Sequence, residues 1–246
     1  MTRRALALAL CAVLVACGEK PEQAVPAQSA SPAQAAATPA PVASVEVPQG
    51  RFAPRDDCAA DSRAAAFQAE LKRVVSARDL DRLLAMTDPQ VELDFGGGAG
   101  HDELRQRLAS TDYDLWAELD RIMPLGCAID QRGNVVMPWY FAQDTGGDPF
   151  ETMLVTGNAI AVRAEASATS RQLGAVSWDI VDLVVDENGA AQGWAPDSGW
   201  VKVRTRDEPV VTGFIAQSDL RSVIDYRLVA DKTDADLRIS AFLAGD

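Results

Sequence analysis

The sequence contains few of the residues on which most catalytic and metal sites depend. Of its 246 residues one is histidine, four are cysteine, and aromatic residues make up 6%. The single histidine, His101, has no Gly-x-Ser-x-Gly elbow to accompany it in a Ser-His-Asp arrangement. One histidine with scattered carboxylates is also weak support for zinc. We therefore predict no metal, no cofactor and no enzymatic activity, and a helix-start or other structural role for His101.

Positive charge is scarce as well. Lysine and arginine total 23 against 36 acidic residues, which gives a net charge of -13. Such a surface repels phosphate backbones, so nucleic acid is excluded as an expected partner.

Residues 5–15 form an apolar run that is too short to span a membrane as a mature helix, and Arg3 and Arg4 precede it. The run ends in Leu14-Val15-Ala16-Cys17, which resembles the bacterial lipobox; the alternative is an ordinary signal peptide with a chance cysteine. The resemblance implies removal of residues 1–16 and acylation, such as palmitate, on Cys17, which would be the contact with the membrane. In proteins with the lipobox an Asp after the cysteine favours the inner membrane, so with Gly18 at that position the resemblance implies the periplasmic side of the outer membrane.

Residues 17–54 are rich in Ala, Pro, Gln and Ser and lack an apolar period, so we expect a lipidated, disordered tether. Beyond the signal and Cys17, two cysteines remain, Cys58 and Cys127. Export to an oxidising compartment favours a disulfide between them. Two buried free thiols are the alternative.

Helical spacing of apolar residues between residues 61 and 123 predicts helices that begin near Asp61, Asp79, His101 and Leu115. Alternating residues predict strands over 91–95 and 135–141, with Pro138 placing the second strand at an edge or bulge.

Two further alternating runs after residue 221 predict a C-terminal β-hairpin, whose apolar face needs another sheet. We expect the hairpin to pack back on the first domain, so that residues 55–153 and 222–246 form one α+β domain. Two helices, a strand and a late hairpin loosely resemble the NTF2-like α+β roll.

Residues 154–221 consist of short apolar runs broken by turn residues, the pattern of a small all-β domain. The runs Ala161-Val162-Arg163, Trp200-Val201-Lys202-Val203 and Gly213-Phe214-Ile215 resemble the bacterial SH3-like (SH3b) domain. The resemblance implies a small barrel, and such domains bind cell-wall peptides or act as plain interaction modules. The usual Gly-Pro after the first strand is missing, because Ala164 and Glu165 follow Arg163.

Three of the five tryptophans, Trp178, Trp194 and Trp200, lie in this domain. Exposed rings could stack on sugar or peptide, so all three are candidate ligand-binding residues. The alternative is a place in the core, which the strand pattern favours for Trp200, whereas Trp194 in a long turn is the better candidate for exposure.

The leading hypothesis is a non-enzymatic lipoprotein whose SH3-like barrel binds peptidoglycan or an envelope protein. An alternative is a small-ligand receptor or hydrolase with a pocket in the α+β domain near residues 95–101. There a glycine run follows Asp94 without the Lys and Ser/Thr of a phosphate loop, so we expect a tight turn instead. A third reading is a structural partner in an envelope complex.

Overall fold

The structure, a computed structural model, describes residues 49–193 and 199–245. These residues belong to one compact unit, which spans Val45–Asp246. About 29% of the described residues are helix and 31% are strand, so the prediction of a mixed α+β protein is confirmed. Cys17 and Trp194 lie outside the described residues.

Four α-helices lie in the first half of the described chain: α1 (Ser62–Ala77), α2 (Leu80–Met86), α3 (Gly100–Ala109) and α4 (Leu115–Ile122). Asp61 caps α1, since its carboxylate accepts from the amides of Arg63 and Ala64 at 2.8 and 2.9 Å. Asp79 caps α2 in the same way. Helical periodicity therefore located all four helices.

The described strands, in chain order, are β1 (Thr87–Glu92), β2 (Ala128–Ile129), β3 (Val135–Met137), β4 (Thr152–Val155), β5 (Ile160–Arg163), β6 (Gln172–Val176), β7 (Ile180–Leu183), β8 (Trp200–Thr205), β9 (Thr212–Ala216), β10 (Leu220–Ser222), β11 (Arg227–Lys232) and β12 (Leu237–Leu243). They form a five-stranded sheet with the order β1-β12-β11-β3-β2 and a seven-stranded sheet with the order β10-β4-β7-β8-β9-β5-β6.

The C-terminal hairpin occupies the middle of the five-stranded sheet. β12 pairs in parallel with β1, and β11 pairs antiparallel with β3. Leu228 and Ile239, one from each hairpin strand, are almost fully buried against the helices. The prediction that the hairpin packs back on the earlier α+β segment is confirmed. The helices cover an apolar face that a lone hairpin would leave in water.

Two predicted strands have different bounds in the structure. The strand expected over 91–95 begins earlier, at Thr87, and ends at Glu92, because the next residues turn around Asp94. The strand expected over 135–141 stops at Met137. Pro138 cannot donate to a ladder, and a 3-10 turn at Trp139–Ala142 follows it.

The seven-stranded sheet is open: among the described residues β10 and β6 are its edges, so a closed barrel is not formed. The sheet is nonetheless not flat. β4 and β5 stand four strand spacings apart in the order, at least about 19 Å in a flat sheet. Only residues 156–159 join them, and the step from Val155 to Ile160 spans at most about 18 Å. The sheet must therefore coil to bring β5 beside β9.

Cys58 and Cys127 form a disulfide, with their Cα atoms 5.7 Å apart, as predicted from the sequence. Both cysteines are fully buried. The backbone around them is also paired, since the Asp57 amide donates to the Cys127 carbonyl at 2.8 Å. The bond fastens the segment before α1 to the segment that leads into β2.

Candidate functional site

Trp178 and Trp200 are the two candidate ligand-binding tryptophans among the described residues. Trp178 is half-buried and packs against an apolar cluster that includes Phe52 and Ile180. Its backbone is left-handed, with a φ of 41°, and its carbonyl accepts from the Phe52 amide at 2.9 Å. Trp200, at the start of β8, is half-buried and lies opposite Ala216 on β9. Both side chains keep part of their surface in solvent, and their assignment as ligand-binding residues stays a prediction.

The backbone of residues 49–52 lies against the turn that carries Trp178. The Gln49 amide donates to Asn158 Oδ1 at 2.8 Å, and Arg51 Nη2 forms an ion pair with Asp179 at 2.9 Å. Gly50 has a φ of 125°, and its Cα approaches the Ser177 carbonyl so closely that a Cβ would overlap it. The end of the sequence-predicted tether is therefore ordered, which sequence reasoning missed.

The glycine run after β1 folds around a carboxylate. Asp94 Oδ1 accepts from the amides of Gly96 and Gly98 at 2.7 and 2.8 Å. These amides are the donors that a phosphate cradle would need, and here they bind the chain's own Asp94. The run is therefore a tight turn that leads into α3, as the sequence predicted.

Arg107 on α3 binds this turn through its guanidinium. Its side chain is 8% exposed, and it donates to the Leu93 carbonyl at 2.9 Å and to Glu103 Oε1 at 2.7 Å, and it also binds Asp94. The guanidinium lies 4.8 Å from the centre of the Tyr113 ring. The hydrogen bond from Arg107, helped by the Gly98 and Gly96 amides, lowers the pKa of the Asp94 carboxyl.

His101 lies in the first turn of α3. The Thr87 hydroxyl donates its proton to the Leu84 carbonyl at 2.9 Å, so it accepts from His101 Nε2, also at 2.9 Å. This bond ties α3 to the start of β1, which is the contact of a structural histidine. Nearby Phe95 is 61% exposed, with the Arg227 guanidinium 5.5 Å from the centre of its ring.

The interior of the α+β part offers little space next to this turn. Between the helices and the five-stranded sheet lies a void of about 10 Å³, lined by Leu83, Thr87, Leu104, Leu119, Leu228, Ile239 and Phe242. Ligand pockets usually hold several hundred Å³, and even one water needs roughly 10–15 Å³. The void is thus smaller than any substrate.

Helix α4 carries a largely buried acid, Glu118. Glu118 has one carboxylate oxygen with no hydrogen-bond partner among the described residues, and its side chain is 14% exposed. Its other oxygen binds Arg121. Burial raises the pKa of Glu118, nearby Asp225 adds to the rise, and the cation of Arg121 opposes it.

A larger opening lies at the edge of the seven-stranded sheet. The groove between strand β6 and residues 205–209 has a volume of about 440 Å³, and we call it the β6 groove. Its apolar lining includes Val176, Ile180 and Val211, and its carboxylates are Asp179, Asp207 and Glu208. Only the folded chain brings these groups together, since the loop after β8 and the edge of β6 are distant in sequence.

The one compact group of metal-type ligands in the described part of the chain is Asp56 with Cys58 and Cys127. Both thiols of that group are consumed by the disulfide, so it is not a metal centre. No helix within residues 49–193 and 199–245 is long and apolar enough to cross a membrane.

Comparison with protein-family models, with curated proteins and with solved structures finds no match to this chain.

Proposed function

We propose that the protein is a non-enzymatic binding module of the cell envelope. In this proposal the lipid on Cys17 anchors the chain to the periplasmic side of the outer membrane. The SH3-like part, residues 154–221, is the binding element, and its ligand is peptidoglycan or an envelope protein.

The arrangement of the seven-stranded sheet supports the SH3-like reading. The last strand of the segment, β10, returns to pair with the first, β4. At the other side of the coiled sheet β5 pairs with β9, with Arg163 opposite Phe214. Pairing of the first strand with the last and a sheet that is not flat are features of a barrel-like sheet, although this sheet is open.

The β6 groove is the observation that carries the proposal. Its volume of about 440 Å³ is in the range of ligand sites. Openings of about 460 and 500 Å³ on the α+β part are of similar size, so the position of the groove within residues 154–221, and not its volume, favours it. The groove combines an apolar lining with carboxylates at its rim, which is a usual composition for recognition. His101 and the cysteine pair are the residues that could have supported catalysis or metal binding. His101 bonds to Thr87, and the cysteines bond to each other.

Co-sedimentation with purified cell wall, and capture of envelope proteins by the full chain, test the proposal together. We expect the full chain to bind one of the two fractions, and Asp207→Lys in the groove to weaken that binding. Glu92→Lys on β1 makes the same charge change on the other sheet and should leave binding unchanged. Absence of binding to both fractions, or equal loss in both variants, would contradict the proposal.

A further inference from the structure

We propose that the β6 groove takes an extended, basic peptide segment of a partner protein, which adds as an eighth strand beside β6. This inference rests on the proposed binding function and names the ligand chemistry of the same groove. Three features of the described residues support it: a free strand edge, an acidic rim and a cation already bound to that rim.

The first feature is the edge itself. β6 pairs with β5 on one side and ends the sheet on the other. Its sequence, Gln-Leu-Gly-Ala-Val, contains neither the lysine nor the proline that commonly blocks an edge strand, although a bulge lies opposite it at Val162 and Arg163. Five residues offer an edge of about 17 Å to a partner strand. Strand addition to such an edge is an established way of binding peptides.

The second feature is the charge of the opposite wall. Asp207 and Glu208, in the loop after β8, face the groove, and the Asp207 side chain is 76% exposed. Arg206 also lines the groove, but it is engaged elsewhere, since its Nη2 lies 2.6 Å from Asp182 Oδ1. The rim therefore presents negative charge that Arg206 does little to offset, which favours a ligand with Lys or Arg side chains.

The third feature shows that the rim accepts a guanidinium. Arg51, from the segment that precedes the first helix, binds Asp179 at 2.9 Å and reaches Asp207 at 3.6 Å. The Arg51 side chain is 56% exposed, so water and other cations can reach this pair. A basic peptide would place a second cation beside Asp207 and Glu208, and Arg51 would compete with it for the same carboxylates.

The test uses the full chain and a fluorescein-labelled, seven-residue peptide that alternates valine with lysine or arginine, followed by fluorescence anisotropy. One matched peptide carries glutamate in place of the basic residues. Two others are N-methylated on alternate residues, so that each loses the backbone donors of one edge only. We expect binding of the basic peptide and at least about tenfold weaker binding of the acidic one. One N-methylated peptide should lose binding and the other should retain it.

Protein variants test the rim. Asp207→Asn with Glu208→Gln should weaken binding of the basic peptide by about fivefold, the scale of exposed ion pairs. Glu92→Gln with Asp234→Asn changes the charge equally on the other sheet and should leave the affinity unchanged. Arg51→Met removes the competing cation, so we expect binding to tighten by about threefold. A gain of affinity cannot come from a damaged fold.

Hydrogen exchange locates the contact, since the amides of β6 should exchange more slowly when the basic peptide is present. The inference is overturned if the basic peptide does not bind, if the acidic peptide binds equally, or if both N-methylated peptides keep their affinity. Pairing of two copies through β6, seen as a dimer by sedimentation, would also overturn it. Envelope binding that persists while the basic peptide fails would reject this inference and leave the proposed function standing.

Discussion

Arg107→Met should separate the electrostatic role of this side chain from its packing role. The arginine is 8% exposed and contacts Asp94, Glu103, the Leu93 carbonyl and the Tyr113 ring. Methionine retains the apolar stem and removes the charge and all donors. Loss of one partner from a buried ion pair costs about 3–5 kcal/mol. Because Asp94 and Glu103 are each about one-third exposed and can regain water, we expect about 2–3 kcal/mol at pH 7.

The pH dependence provides a second, independent readout. Arg107 lowers the pKa of Asp94 in the folded chain, so the stabilisation from their contact is present above the unfolded pKa, near 4. It is lost as the pH falls through the lowered folded pKa. The difference in unfolding free energy between wild type and Arg107→Met should therefore be largest at pH 7 and shrink below pH 4.

Urea unfolding followed by tryptophan fluorescence, at pH 7 and pH 3, measures both quantities. Arg105→Met is the matched control, since Arg105 lies on the same helix, is half-exposed and pairs with Asp102, and it should cost less than about 1 kcal/mol. Two results would refute the proposed role of Arg107 in the turn: a loss of unfolding free energy in Arg107→Met below about 1 kcal/mol at pH 7, or a loss at pH 3 as large as that at pH 7.

Three further predictions concern the anchor, the disulfide and the buried acid. Cys17→Ser should move the protein from the membrane fraction to the soluble fraction, and an unchanged distribution would contradict the lipid anchor. Replacement of Cys58 and Cys127 by serine should lower the free energy of unfolding by about 4 kcal/mol, measured with urea, because the bond closes a long loop. Burial raises the pKa of Glu118, so the folded chain binds that proton more tightly than the unfolded chain, and stability falls as the pH rises past the unfolded value. The free energy of unfolding of Glu118→Gln minus that of wild type should therefore be larger at pH 7 than at pH 4. A smaller difference at pH 7 would count against the burial of this carboxyl.

Local sequence signals determined much of the secondary structure. The spacing of Phe67, Leu71 and Val74, with Asp61 before them, predicted α1, because a helix turn and its cap depend on residues within a few positions of each other. The C-terminal hairpin followed from alternation alone. The cysteine pairing followed from counting, since the predicted export and lipidation leave two cysteines, and so one disulfide to form.

Tertiary structure decided what the surfaces present. Trp178 is a candidate ligand residue by its sequence, and only the fold shows that residues 49–52, more than a hundred positions away in the chain, dock on its turn. The β6 groove is also non-local, because β6 and the loop that carries Asp207 meet only after the sheet coils. Periodicity reports which face of a strand or helix is apolar, but not which other segment covers it. Strand order, free edges and ion pairs such as Arg107 with Asp94 depend on contacts between distant segments, and the free energy of the whole fold selects those contacts.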